Sequence, residues 1–194
     1  MKHPIITSLG LAVLASVSLV TPAFAATIYT VDATGGFGKL DTVTGIYASI
    51  ADDILDGGYT HCLTSDGVGG FYTEYSYDLY AVNTSGDVSL IGLGGDLATM
   101  YGMDRSSAGT MYGYNYNNDN LGSVDTTTGI WSDIGESGSS SSSPTGGRLA
   151  FQDGILYGAM SFLYGEFGSF DLVTGGFSLI TTDSIYRRCW LPMV

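Results

Sequence analysis

The chain has 194 residues, with 19 acidic against 6 basic side chains and a formal net charge of −13 at neutral pH. This excess argues against nucleic acid or an anionic membrane surface as partner, because both require a basic footprint. It fits solvated turns and solubility, or a surface that gathers cations.

The N-terminus reads as a secretory signal. Lys2 and His3 are followed by the apolar run Ile5–Val20 and by the small-x-small triplet Ala23-Phe24-Ala25, which predicts cleavage after Ala25. The run is shorter than the roughly 20 residues a spanning helix needs, and no later stretch is apolar enough to cross a bilayer. The expectation is a secreted or periplasmic protein with no membrane span after cleavage. Residues 26–194 suffice for one domain with a core of its own.

Two cysteines, Cys62 and Cys189, are too few for a disulfide framework. An oxidising compartment permits a bridge between them, which in the chain-entropy model stabilises by roughly 4–5 kcal/mol.

The chain repeats itself. LGSVDTTTGIWSDIG at 121–135 has weaker copies in GKLDTVTGIYASI at 38–50, YAVNTSGDVSLIG at 80–92 and GSFDLVTGGFSLI at 168–180. The turn glycines Gly45, Gly86, Gly129 and Gly175 step by 41, 43 and 46 residues. An apolar-Tyr pair at 28–29, 71–72, 111–112 and 156–157 steps by 43, 40 and 45. Two independent markers with one period point to a four-stranded propeller blade. In the third unit strand A is read at 98–104, B at 110–115, C at 121–125 and D at 130–134, rich in β-branched and aromatic residues. Outside the signal no segment carries a helical period, and Asp52–Asp56 is one helical turn at most.

Asp-x-x-Thr-Gly has a local cause. The Asp side chain accepts backbone N–H bonds two residues on, and the glycine supplies a positive φ. Asp41, Asp125 and Asp171 are therefore structural turn residues with Gly45, Gly129 and Gly175. Asn83-Thr84-Ser85, ending at Gly86, is one residue shorter and predicts a different turn; it is also an N-x-S sequon. The insert ESGSSSSSPTGG at 136–147 reads as a flexible surface loop within one domain.

At this point the residues resemble a known group. Leu-x-x-Val-Asp-x-x-Thr-Gly, an aromatic and Ile-Gly look like the blade hairpin of exported bacterial PQQ-, NHL- and YVTN-type β-propellers; Gly-Thr-Met-Tyr at 109–112 and Gly-Gly-Arg-Leu-Ala-Phe at 146–151 resemble the flanking strands. The resemblance covers about 27–183 and implies an all-β propeller of about four blades of 40–46 residues. It implies no activity, since propellers host many. PQQ-type repeats place a tryptophan about four residues past the turn glycine. Here Trp131 lies two past Gly129, with Tyr47, Val88 and Phe177 in the equivalent places, which weakens any quinone-cofactor inference.

Known propellers mostly carry more blades, so the chain is a short ring, an incomplete one, or half of a homodimeric ring. The first unit begins on a strand B at Thr27–Val31. Residues Ser184–Trp190 fall where a further strand A would stand, and pairing them with the first unit would close the ring. Arg187, Arg188 and Pro192 suit an inner strand badly and favour a truncated end.

In a propeller the B-to-C and D-to-A loops share one face. The B-to-C loops hold Tyr75 and Tyr77, then Tyr114, Asn115, Tyr116, Asn117 and Asp119, then Tyr164. Such aromatics beside amides and carboxylates can stack on sugar rings and bond hydroxyls, or can pack between blades. Asn117–Asn120 offers oxygen ligands for Ca²⁺ but lacks the spaced acidic loop, so no cofactor is expected beyond that weak candidate. No metal set is assembled by His61, the one histidine of 26–194. His61 beside Cys62 is no dyad, because adjacent strand residues point to opposite faces. Glu166 with Asp119 forms a carboxylate pair only at a separation the sequence does not give. The reading is an exported, non-catalytic binding module that takes a glycan, peptide or protein on this loop face. A propeller oxidoreductase or lyase, and a structural or truncated envelope protein, stand as alternatives.

Overall fold

A computed structural model describes residues 27–32, 34–56, 62–93, 100–138, 148–160 and 165–182. The signal region, His61, the serine-rich stretch 139–147, Tyr164, and the tail with Ser184–Trp190 and Cys189 lie outside the described residues.

The described chain is all-β, and its strands run in sequence order within four antiparallel sheets. Blade 1 is β1 (Thr27–Val31), β2 (Phe37–Asp41) and β3 (Tyr47–Ala51). Blade 2 is β4 (Leu63–Ser65), β5 (Phe71–Tyr75), β6 (Asp78–Val82) and β7 (Val88–Leu93). Blade 3 is β8 (Met100–Arg105), β9 (Met111–Asn115), β10 (Asn120–Val124) and β11 (Trp131–Glu136). Blade 4 is β12 (Arg148–Gln152), β13 (Ile155–Ala159), β14 (Glu166–Phe170) and β15 (Phe177–Thr182). The third unit matches its expected strands to within two residues, and the strand expected at Thr27–Val31 is found there as β1. Asp52–Asp56 forms no helical turn. It is a bend, because the Leu55 amide donates to Asp53 Oδ1 at 3.0 Å and the Ile54 amide to the Gly35 carbonyl at 2.9 Å.

The turns close as their sequence dictates. Asp41 Oδ1 accepts the Val43 and Thr44 amides at 2.8 and 3.0 Å, and Asp171 Oδ1 accepts those of Val173 and Thr174 at 2.8 and 3.0 Å. Asp125 Oδ1 accepts the Thr127 amide and hydroxyl at 2.8 and 2.7 Å. These donors hold all three carboxyls below the usual range, led by the Thr44 amide, the Val173 amide and the Thr127 hydroxyl respectively. In each, the glycine four residues on donates back to the Asp carbonyl, at φ of 70° to 80°. The Asn83 turn does differ: Gly86 bonds the carbonyl three residues back, at 3.0 Å.

Each C–D hairpin carries a bulge at one equivalent place, after Phe37, Leu79, Leu121 and Phe167. The next residue is glycine in three blades, where the rings of Tyr47, Trp131 and Phe177 leave no room for a β-carbon. Blade 2 inverts the pair, with Tyr80 after the bulge and Val88 at the position that Tyr47, Trp131 and Phe177 hold in the other blades, so the large and small partners exchange strands.

The core lies in the seams between blades. Between blades 2 and 3 it holds Cys62, Leu79, Met100, Met103, Met111 and Val124. Between blades 3 and 4 it holds Tyr114, Leu121, Leu156, Met160 and Phe170. Between blades 1 and 2, Phe71 sits 4.9 Å from Tyr29 and 6.0 Å from Phe37, ring to ring. The inner strands β4, β8 and β12 lie side by side, and Asp104 of β8 ties them. Its Oδ1 accepts the Thr64 hydroxyl at 3.0 Å, and its Oδ2 accepts the Phe151 amide at 2.6 Å.

Candidate functional site

The B-to-C loops and the starts of the inner strands share one face. In blade 2, Ser76 and Tyr77 join β5 to β6 with φ of 52° and 73°. Positive φ at both central residues is the type I′ hairpin, whose twist matches the flanking strands. Glu74 fixes that turn by accepting the Tyr77 amide on Oε1 at 3.1 Å. The Tyr77 side chain is left 52% exposed, while Tyr75 is half-buried and its ring lies 6.4 Å from that of Tyr80.

In blade 3, residues 116–119 join β9 to β10, with Asp119 at φ 60°. Asp119 gathers the loop: it accepts the Tyr114 hydroxyl, the Ser137 hydroxyl at 2.7 Å and, on its carbonyl, the Ser137 amide at 2.7 Å. Asn115 is buried and accepts the Asn117 amide at 2.9 Å. Asn120 donates to Asp133 at 3.2 Å, as does the Trp131 indole at 2.7 Å. Asn117 and Asn118 face solvent, and Tyr116 is half-buried.

The structure thus separates the expected residues. Tyr77, Tyr116 and Asn117 reach the surface of this face, with Tyr75 partly covered. Tyr114 and Asn115 do not. The Tyr114 ring is buried in the seam with blade 4, 6.1 Å from the Phe170 ring, and Asp119 is engaged by its own loop. Among the described residues no three His, Cys, Asp or Glu side chains gather at one point. Cys62 is buried and is bridged to no cysteine among the described residues, and its expected pairing with Cys189 lies outside them.

Beneath the face lies a polar group that the repeat pattern does not announce. Glu74 is buried, and its Oε2 has no hydrogen-bond partner among the described residues. Burial raises its carboxyl to about 7, the Tyr77 amide opposes the rise, and the charge of Asp78 adds to it. Next to it, burial and then the Glu74 charge push the Cys62 thiol up to about 12. That thiol donates to the Met100 carbonyl at 3.9 Å, and Thr73 donates to the Cys62 carbonyl at 2.7 Å. Glu166, the first residue of β14 in blade 4, is buried too. The signal was available: Glu74 stands where the apolar-Tyr alignment places Tyr114, Ala159 and Val31.

A cleft of about 500 Å³ opens at the opposite end of blade 2, lined among others by Asp66, Gly70, Asn83 and Asp87. Its polar atoms serve turns. Asp66 Oδ1 accepts the Val68 and Gly70 amides at 2.8 Å each, and the Asn83 side-chain amide donates to Asp87 at 2.8 Å. The cleft belongs to the fastening of the blade.

No protein-family model matches the chain. No curated protein matches it either. Solved structures do. A virginiamycin B lyase from Staphylococcus aureus is 11% identical with a TM-score of 0.56, over 79% of this chain and 51% of that one. A streptogramin B lyase is 15% identical with a TM-score of 0.55, over 79% and 50%. The chain folds as a four-bladed β-propeller. A Bacteroides thetaiotaomicron protein of unknown function shares the propeller at 12% identity and a TM-score of 0.60, over 79% of this chain and 40% of that one. The chain therefore spans about half or less of these structures. At such identities the likeness concerns the fold alone.

Proposed function

We propose that this propeller is an exported, non-catalytic binding module that takes a carbohydrate on the B-to-C loop face of blades 2 and 3. The observation that carries the reading is Tyr77: an exposed ring on a two-residue turn whose backbone is locked by a buried carboxylate. A rigid aromatic gives contact area at little entropic cost, which suits the apolar face of a sugar ring. Exposed Asn117 and Asn118 on the adjacent blade supply donors and acceptors for hydroxyls. In this reading Glu74 serves the turn.

A glycan array followed by calorimetry tests it. Tyr77→Ala raises Kd for the selected glycan by about tenfold or more, and Asn117→Ala raises it less. Tyr114→Ala is unsuitable as a probe, because it opens the core. Unchanged affinity in Tyr77→Ala, with wild-type circular dichroism, refutes the loop-face reading. Peptide or protein ligands that bind while every glycan fails refute the carbohydrate.

A further inference from the structure

The four blades are equivalent in sequence but not in what covers them. The residue before each C–D bulge faces the next blade. Phe37, Leu79 and Leu121 are 0% exposed there, whereas the fourth copy, Phe167, is 40% exposed. Ile180 stands where blade 3 has half-buried Ile134, and it is 58% exposed. The face of blade 1 that would receive a preceding blade is open too. Ile28 takes the place of Met111 and Leu156, at 1% and 0%, yet is 49% exposed; Tyr47 takes the place of half-buried Trp131 and Phe177 and is also 49% exposed.

The turn glycines mark the same asymmetry. A β-carbon built on Gly86 lies 3.2 Å from Ala51 of blade 1, one on Gly129 lies 3.1 Å from Gly92 of blade 2, and one on Gly175 meets Gly135 of blade 3. At Gly45, the copy in blade 1, nothing lies within 4 Å. Three seams are made, and both halves of a fourth are present and unfilled.

We propose that a second copy of this chain fills them: blade 4 of each copy packs on blade 1 of the other, closing a two-chain ring through two identical contacts. The two faces are mating halves of a seam that the sequence builds three times internally, so the surface that fits each is a blade of the same repeat. Within one chain the two faces leave each other exposed. Two copies related by a two-fold axis satisfy both faces at once and leave none over. Thr181 stands where the tight seams carry Gly92 and Gly135, so the contact between chains is wider than these; Ala51 already fills that position in the seam of blades 1 and 2.

Size-exclusion chromatography with light scattering tests the pairing on the purified chain. Wild type elutes at twice the chain mass. Phe167→Glu and Tyr47→Glu each shift it to one chain mass, raising the dimer Kd by roughly a hundredfold with unchanged circular dichroism, because a charge is buried in an apolar seam. Mixing a Thr181→Cys chain with a Thr44→Cys chain, both carrying Cys189→Ser, gives a reducible two-chain band. Three results overturn the proposal. The wild type stays monomeric across micromolar concentrations. The dimer survives Phe167→Glu and Tyr47→Glu. Or a chain with both cysteines bridges within itself, which assigns the open faces to its own blades.

Discussion

Replacing Glu74 by glutamine removes a charge from the interior of blade 2 while keeping an acceptor for the Tyr77 amide. In the folded chain the Glu74 carboxyl titrates at about 7, against 4.5 for the ordinary group. The folded state therefore holds this proton more tightly than the unfolded chain does. Below pH 4.5 both states are protonated and no ionisation cost remains. As pH rises from 4.5 to about 7 the unfolded chain ionises first, stability falls, and above that window the loss is complete. The interval corresponds to about 3 kcal/mol. Glutamine does not titrate, and its buried amide costs about 1 kcal/mol at any pH for want of an acceptor. Glu74→Gln is thus slightly destabilising near pH 4.5 and stabilising by about 2 kcal/mol near pH 8. Urea melts followed by the fluorescence of half-buried Trp131 give both values, and other titrations common to the two proteins cancel in the difference. An equal difference at the two pH values would show that Glu74 does not carry this proton, and the account of the buried turn would fail.

Asp104→Ala removes the acceptors of both the Thr64 hydroxyl and the Phe151 amide, so stability falls by about 2–3 kcal/mol and Tm by several degrees. A melt within 1 °C of wild type refutes the role of Asp104 as the tie between inner strands. Gly92→Ala drives a β-carbon into the Thr128 carbonyl across a seam and costs roughly 3 kcal/mol or more. Gly154→Ala meets nothing within 4 Å at φ 81° and costs about 1 kcal/mol, from backbone conformation alone. Equal thermal shifts in these two variants would remove the seam argument.

The architecture was legible because its determinants are local. Asp41, Asp125 and Asp171 bond amides two or three residues away, and that pattern recurs wherever the sequence recurs. The role of Tyr114 was harder to read. Blade strands are covered on both faces, so β9 shows no alternation to separate a seam residue from a loop residue. Asp104 was hidden for another reason, since its partners Thr64 and Phe151 lie 40 and 47 residues away and no spacing announces them. Glu74 was visible only as an acidic residue in an apolar column. A search for metal sets and nucleophile–base pairs passes over a lone carboxylate that serves a turn.

Every described sheet pairs only strands that follow one another in the chain. Ordering one blade therefore closes a few short loops, each at small entropic cost. The expensive contacts are the few that reach from blade to blade, such as those of Asp104 across 40 and 47 residues. In a chain built this way each meander can order on its own local contacts, and docking of meanders is expected to set the slow step. Its refolding rate should depend weakly on the hairpins and strongly on the residues between them.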